Sequence, residues 1–385
     1  MCGSVSSEYS PYQASGSLNA QKILLAINSQ PLSVSEIAVS TSLSRVEVKE
    51  ALKPLLKCSL VGELSAAGRT KYKPLFAIFT VKDQEKLLPL ITELSDVLTG
   101  ICRESMPLIR ERLKQIACVK AGYHFPELEY IAVGAYTLDF NALQILERKG
   151  LLISGKEMPG GRYVFTGMEK GLINPADMLM WGHSTRYGRY TFYSHGGLPP
   201  NTSRRVFPDV TWLWYPIIED PSLIERKMVE LGDILYRLLK GPIEVDELII
   251  EMKENTDTLT LMLDLLLLEG MGYLSIPEFV DSGKLRYKLG RPILTSKDKE
   301  IIWRISEYII GRFAEKLEQK RRSIEEVYSQ TTPAKNGISI KEAFNHIYHL
   351  AFAKTTKTLI NRNIMSSPLM MKDGGKYSVW VTVEE

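Results

Sequence analysis

SRVEVKEALKPLLKCSLVGELSAAGRTKYKPLFAIF, residues 44–79, is the stretch that decides how the chain is read. Ser44 with Glu47 three positions on is a capping-box pattern that opens a helix. Val48, Ala51, Leu52, Leu55 and Leu56 follow at helical spacing and predict its buried face. Arg45, Lys49, Lys53 and Lys57 recur every four residues and form a stripe on the opposite face. Only Glu47 and Glu50 oppose these four cations. Pro54 is expected to kink the helix or end it early. Two extended runs, 63–65 and 71–79, are joined by the small-residue turn Ala66-Ala67-Gly68. Upstream, 18–28 repeats Ile23, Leu24 and Ile27 at helical spacing, Pro31 breaks the run, and Ser33 or Ser35 can cap a short second helix with Ile37 and Ala38.

Helix, short helix, turn, longer helix and hairpin, in this order over 18–79, resemble a winged helix-turn-helix domain of the kind found in MarR-like and ArsR-like transcriptional regulators. The resemblance is one of element order and helix spacing. It implies that the third helix enters the major groove of double-stranded DNA while the wing straddles the backbone. The residues it assigns to DNA are Ser44, Arg45, Lys49 and Lys53 on the helix and Arg69, Lys71 and Lys73 in the wing.

The unit recurs. Ile23, Pro31, Val34 and Glu36 match Ile234, Pro242, Val245 and Glu247, 211 residues on. Gly68, Tyr72, Lys73, Thr80, Lys82, Asp83 and Glu85 match Gly283, Tyr287, Lys288, Thr295, Lys297, Asp298 and Glu300, 215 residues on. Tyr136, Leu138 and Phe140 match Tyr348, Leu350 and Phe352, and Gly160, Gly161 and Tyr163 match Gly374, Gly375 and Tyr377. Self-similarity of this length predicts an internal duplication. The expected fold is mainly α with small β-hairpins (α+β): two tandem winged-helix units with long amphipathic helices, related by a pseudo-two-fold.

The copies differ on the reading helix. In the second, Asn255, Leu259, Leu263 and Leu267 stand where the basic stripe was, with Asp257, Asp264 and Glu269 and no cation between them. Leucines on both faces predict burial on both faces. The second wing keeps Lys284, Arg286, Lys288 and Arg291. Long amphipathic helices are expected over 85–117 and 299–328, each followed by a further helix and a Gly-Gly hairpin. The expected organisation is a flexible tail at 1–17, a winged helix at 18–80, helices plus hairpin at 81–165, a unique segment at 166–220, a degenerate winged helix at 221–295, and helices plus hairpin at 296–385.

The unique segment is aromatic and basic. Trp181, His183, Arg186, Tyr187, Arg189, Tyr190, His195 and Arg204 are the types that line a pocket for an anionic or planar small-molecule effector. His183, His195 and Asp209 form a candidate metal set, although no HxH, HExxH or cysteine sharpens it. A strand-rich bridge whose aromatics simply pack is the alternative.

Composition narrows the rest. The net charge of +3 implies no polyanionic partner by itself, so the DNA reading rests on the local stripe. Four scattered cysteines without a CxxC pair read as reduced thiols in a cytoplasmic protein. No run reaches the roughly 18–20 apolar residues of a membrane span. No P-loop, GxSxG or dinucleotide fingerprint is present, so no catalytic residue, cofactor or metal is assigned and the protein is not expected to be an enzyme. A DNA-binding regulator built as a single-chain pseudo-dimer is expected, using one half-site or pairing as a homodimer on a palindrome. Its rivals are a tandem winged-helix scaffold that binds proteins, and a ligand-processing enzyme centred on His183 and His195.

Overall fold

Serine caps start the first helices. β1 (Cys2–Gly3) leads to α1 (Pro11–Ser15), where the Ser10 hydroxyl accepts from the Gln13 N–H and Pro11 takes the first position. Ser17 caps α2 (Leu18–Ser29). Ser33 and Ser44 open α3 (Val34–Thr41) and α4 (Arg45–Lys57) with complete capping boxes through Glu36 and Glu47. β2 (Val61–Ala66) and β3 (Arg69–Pro74) pair antiparallel around Gly68, whose φ of 71° suits the residue without a Cβ.

β4 (Ala77–Phe79) precedes the 33-residue α5 (Val81–Leu113). Then come α6 (Ala117–Lys120), α7 (Leu128–Tyr130), a π-helical run (Ile131–Phe140) and α8 (Asn141–Arg148). In the π-helical run the Thr137 hydroxyl donates to the Ala132 carbonyl at 2.8 Å, the five-residue reach of that wider turn. β5 (Lys156–Met158) and β6 (Gly161–Val164) form a hairpin, and β7 (Thr166–Met168) follows.

The chain goes on with β8 (Trp181–Tyr187), β9 (Tyr190–Gly197), α9 (Pro221–Leu238) and β10 (Ile243–Glu244). It continues with α10 (Val245–Met252), α11 (Thr258–Gly270), β11 (Glu278–Phe279), β12 (Leu285–Tyr287) and β13 (Ile293–Leu294). Last are the 34-residue α12 (Ser296–Ser329), α13 (Thr332–Lys335), α14 (Ile340–Asn361) and β14 (Lys376–Val383). This structure, a computed structural model, describes residues 2–3, 5–66, 68–173, 181–197, 220–252, 257–275, 278–279, 285–369 and 375–385. Helices dominate and the sheets are small, an α+β character. Among the described residues no helix is long and apolar enough to cross a membrane.

The chain divides into two units, Met1–Ile101 with Asp139–Leu179 and Ile310–Thr356, and Cys102–Leu138 with Met180–Ile309 and Lys357–Glu385. The first therefore holds the beginning of α5 and the end of α12, and the second holds the converse. In the first unit α2, α3 and α4 close over Ile23, Ile27, Ile37, Val48, Leu52 and Leu55, joined by Phe76, Ile78, Tyr163 and Phe165. Burying such a side chain contributes roughly 1.5–3 kcal/mol. Leu32 and Tyr72 exchange backbone hydrogen bonds (3.2 and 2.8 Å), tying the α2–α3 connection to the hairpin.

Two expectations change in this unit. The described residues of 1–17 are not a loose tail: β1 pairs with β6, Ala14 is buried in the core, and Tyr12 meets Phe165 edge-on at 5.5 Å. The segment's apolar groups are aromatic and widely spaced, yet enough of them are covered to fix it. Pro54 does not end α4, because it lies on the exposed side of the last turns, where Glu50's carbonyl loses its partner on the hydrated face.

In the second unit β13, β14, β9 and β8 form a four-stranded sheet in that order, with β13–β14 parallel and the rest antiparallel. α9 buries Met228, Leu231, Ile234 and Leu235, and α11 buries Leu261, Leu265 and Leu268. Lys227 reaches the buried Asp264 at 2.9 and 3.1 Å; burial pushes that carboxyl up and the lysine opposes it. The expectation that α11 is buried on both faces is overturned. Leu259, Leu263 and Leu266 are 71%, 57% and 57% exposed, while Leu261, Leu265 and Leu268 of the same helix are buried.

Candidate nucleic-acid interface

α4 presents its cations outward. Arg45, Lys49, Lys53 and Lys57 are all exposed, while Val48, Leu52 and Leu55 on the opposite face are buried. Eight residues of helix put about 12 Å between Arg45 and Lys53 at 1.5 Å per residue. Ser44 is committed to the helix itself. Its hydroxyl accepts from the Glu47 N–H at 3.2 Å and its own N–H donates to the Glu47 carboxylate at 2.8 Å. That backbone hydrogen bond holds the Glu47 carboxyl below its ordinary value. Ser44 thus positions the row; its hydroxyl is occupied.

The cations are not equally available. Lys53 pairs with Glu50 at 2.7 Å, Lys57 with Glu8 at 3.0 Å, and Lys71 with Glu36 at 3.6 Å. These are surface pairs worth little. Arg45, Lys49, Arg69 and Lys73 have no carboxylate partner among the described residues. Arg69 is exposed at the mouth of the β2–β3 hairpin, and Lys73 is half-buried further along β3. The helix row and the hairpin cations belong to one folded unit.

The second set of elements offers no such row. α11 shows leucines where α4 shows lysines. In its hairpin, Lys284 lies outside the described residues and Arg291 turns inward to the buried Glu127 at 3.2 Å.

The aromatic and basic residues of 181–195 do not converge. The β8–β9 turn sets Tyr187 opposite Tyr190, so His183 faces Ser194 and His195 points to the other side of the sheet. His183 contacts the Thr185 hydroxyl at 3.0 Å on one face; His195 is fully buried on the other, 2.7 Å from the Tyr130 hydroxyl. The two histidines therefore lie on opposite faces of the sheet and do not meet at one point. Arg186 makes a two-pronged pair with Glu384, and Arg189 binds Asp233 while lying over the Tyr190 and Tyr236 rings. Tyr190 is buried and donates to Asp233 at 2.5 Å, and Tyr187 packs against Phe192. These are structural engagements along a sheet. Only the backbone of Trp181 is described, while Arg204 and Asp209 lie outside the described residues. Among the described residues no group of three or more His, Cys, Asp or Glu could hold a metal ion.

The exposed α11 leucines are the feature that residue types alone missed. An all-leucine helix reads as core, and only the placement of its neighbours reveals which face is left open. No protein-family model matches this chain, and no curated protein is detectably similar to it.

Proposed function

We propose that the protein binds double-stranded DNA through α4 and the β2–β3 hairpin, as a winged helix-turn-helix regulator does. The observation that carries this reading is the outward row of Arg45, Lys49 and Lys53 on a helix opened by a capping box, within one folded unit with a hairpin bearing Arg69, Lys71 and Lys73. Phosphate neutralisation by such residues releases counterions, so binding should weaken steeply with salt. With random-sequence duplex, fluorescence anisotropy is expected to show binding at 50 mM salt. Arg45→Ala/Lys49→Ala should lower the affinity by about 10-fold or more and reduce the log–log salt slope by about 2. Absence of duplex binding at low salt, or a double variant that binds as tightly as the parent, would remove the proposal.

We infer further that the chain is an internally duplicated, single-chain counterpart of a dimeric regulator. Four paired details support this beyond the sequence matches. Leu32 bridges Tyr72 as Ile243 pairs with Tyr287. β4 runs parallel to β7 as β13 runs parallel to β14. Gly3 passes so close to the Tyr163 backbone that a Cβ would collide with it, as Gly196 does at Tyr377, a likeness that supports pairing β9 with β1. Asp83 caps the start of α13 as Asp298 caps the start of α6. On this reading only one of two reading helices remained cationic, so a single chain engages one half-site and two chains are needed for a palindrome. An effector pocket at 181–195 gains no support from side chains already engaged with one another.

A further inference from the structure

α11 carries on its outer side the opposite of what α4 carries. Leu259, Leu263 and Leu266 follow a four-then-three spacing, the seam by which one helix receives another. All three are more than half exposed, while Leu261, Leu265 and Leu268 of the same helix are buried. Leucines left in water forfeit roughly 1.5–3 kcal/mol each, and a row of them marks a binding surface rather than scattered exposure.

Charge selects the occupant. Neither α10 nor α11 contains a lysine or arginine, whereas their exposed acids are Asp246, Glu247 and Glu251, with Asp257 as the α11 cap. Arg237 engages Glu247 and Glu251, and Lys227 engages Asp264. Asp246 and Asp257 remain exposed without a cation among the described residues. A second copy docking through the same face would set acid against acid, and the chain's own cationic helix α4 offers Val46 as its one large exposed apolar residue among those described.

We propose that the α10–α11 face is a docking site for an amphipathic helix of a partner protein, with leucine-like residues at seam spacing flanked by lysine or arginine. The apolar seam supplies affinity and the acidic rim supplies orientation and choice of partner. This inference does not depend on DNA binding.

The test uses the full chain and two synthetic helical peptides of about three heptads, both with leucine at the seam. One carries lysine and the other glutamate at the flanking positions. The lysine peptide is expected to bind by fluorescence anisotropy, more weakly as salt rises, and the glutamate peptide at least ten times more weakly. Leu259→Ser/Leu263→Ser should weaken lysine-peptide binding at least tenfold while leaving the thermal midpoint unchanged, since both side chains are exposed. Arg45→Ala/Lys49→Ala should leave peptide binding intact. No binding of the lysine peptide, equal binding of both peptides, or binding untouched by the leucine variant would overturn the proposal. So would self-association of the parent in sedimentation that the leucine variant abolishes, which would assign the face to a second copy.

Discussion

Asp298→Ala is expected to destabilise the protein by about 3–5 kcal/mol, read as a shift of the urea unfolding midpoint. The carboxylate is 2% exposed and works at two helix starts at once. One oxygen accepts from the Thr295 N–H at 2.8 Å, closing the turn into α12, where the Asp298 N–H returns a bond to the Thr295 hydroxyl at 3.2 Å. The other oxygen accepts from the Ala117 N–H at 2.9 Å, at the first residue of α6. Truncation leaves two shielded N–H donors without acceptors, each costing roughly 1–3 kcal/mol. Asp298→Asn retains one acceptor and should lose about half as much. Asp83 repeats the arrangement, with Thr80 N–H at 2.8 Å and Thr332 N–H at 2.9 Å, so Asp83→Ala should fall in the same range. The exposed Asp246→Ala serves as the comparison and should stay within about 0.5 kcal/mol. A loss below about 1 kcal/mol at Asp298 would mean that water or a relaxed backbone replaces the carboxylate.

The roles of these aspartates show where sequence reasoning stops. Thr80-x-x-Asp83 and Thr295-x-x-Asp298 could be matched as a repeat, and each reads locally as a cap. Nothing local shows that each side chain also caps a short helix begun elsewhere in the chain, since that depends on how distant segments meet. α4 and its hairpin were legible because their signals are local: a capping box, a four-residue cation row and a glycine turn. The π-helical winding of 131–140 was not, since Tyr136, Leu138 and Phe140 fit an ordinary helical face equally well. The same limit governed His183 and His195. Two histidines in thirteen residues look like a pair until a tight turn fixes the register, and then strand alternation sends them to opposite faces. Exposure of the α11 leucines was hidden for a related reason: composition states that a face is apolar, never what covers it.

Acid should unfold the protein partly through His346. This residue of α14 stacks on Phe79 at 5.5 Å, with its Nε2 shielded from water and without a hydrogen-bond partner among the described residues. Burial, reinforced by the neighbouring His349, lowers its pKa from the ordinary 6.5 to about 3. The imidazole therefore stays neutral in the folded protein while the unfolded chain takes up a proton below about pH 6.5. Where the unfolded state binds more protons, stability falls as pH falls, so this contribution is complete above pH 6.5 and is lost progressively toward pH 3. One proton is worth about 1.4 kcal/mol per pH unit, giving roughly 2 kcal/mol by pH 5. His346→Leu removes the titration while keeping an apolar side chain of similar volume against Phe79. Urea unfolding of parent and variant at pH 7, 6, 5 and 4 should show the variant losing stability less steeply, the two curves converging or crossing as the solution is acidified. Parallel curves over that range would mean that the imidazole takes its proton in the folded state at nearly the pH of the open chain, and that the Phe79 stack leaves it in contact with water.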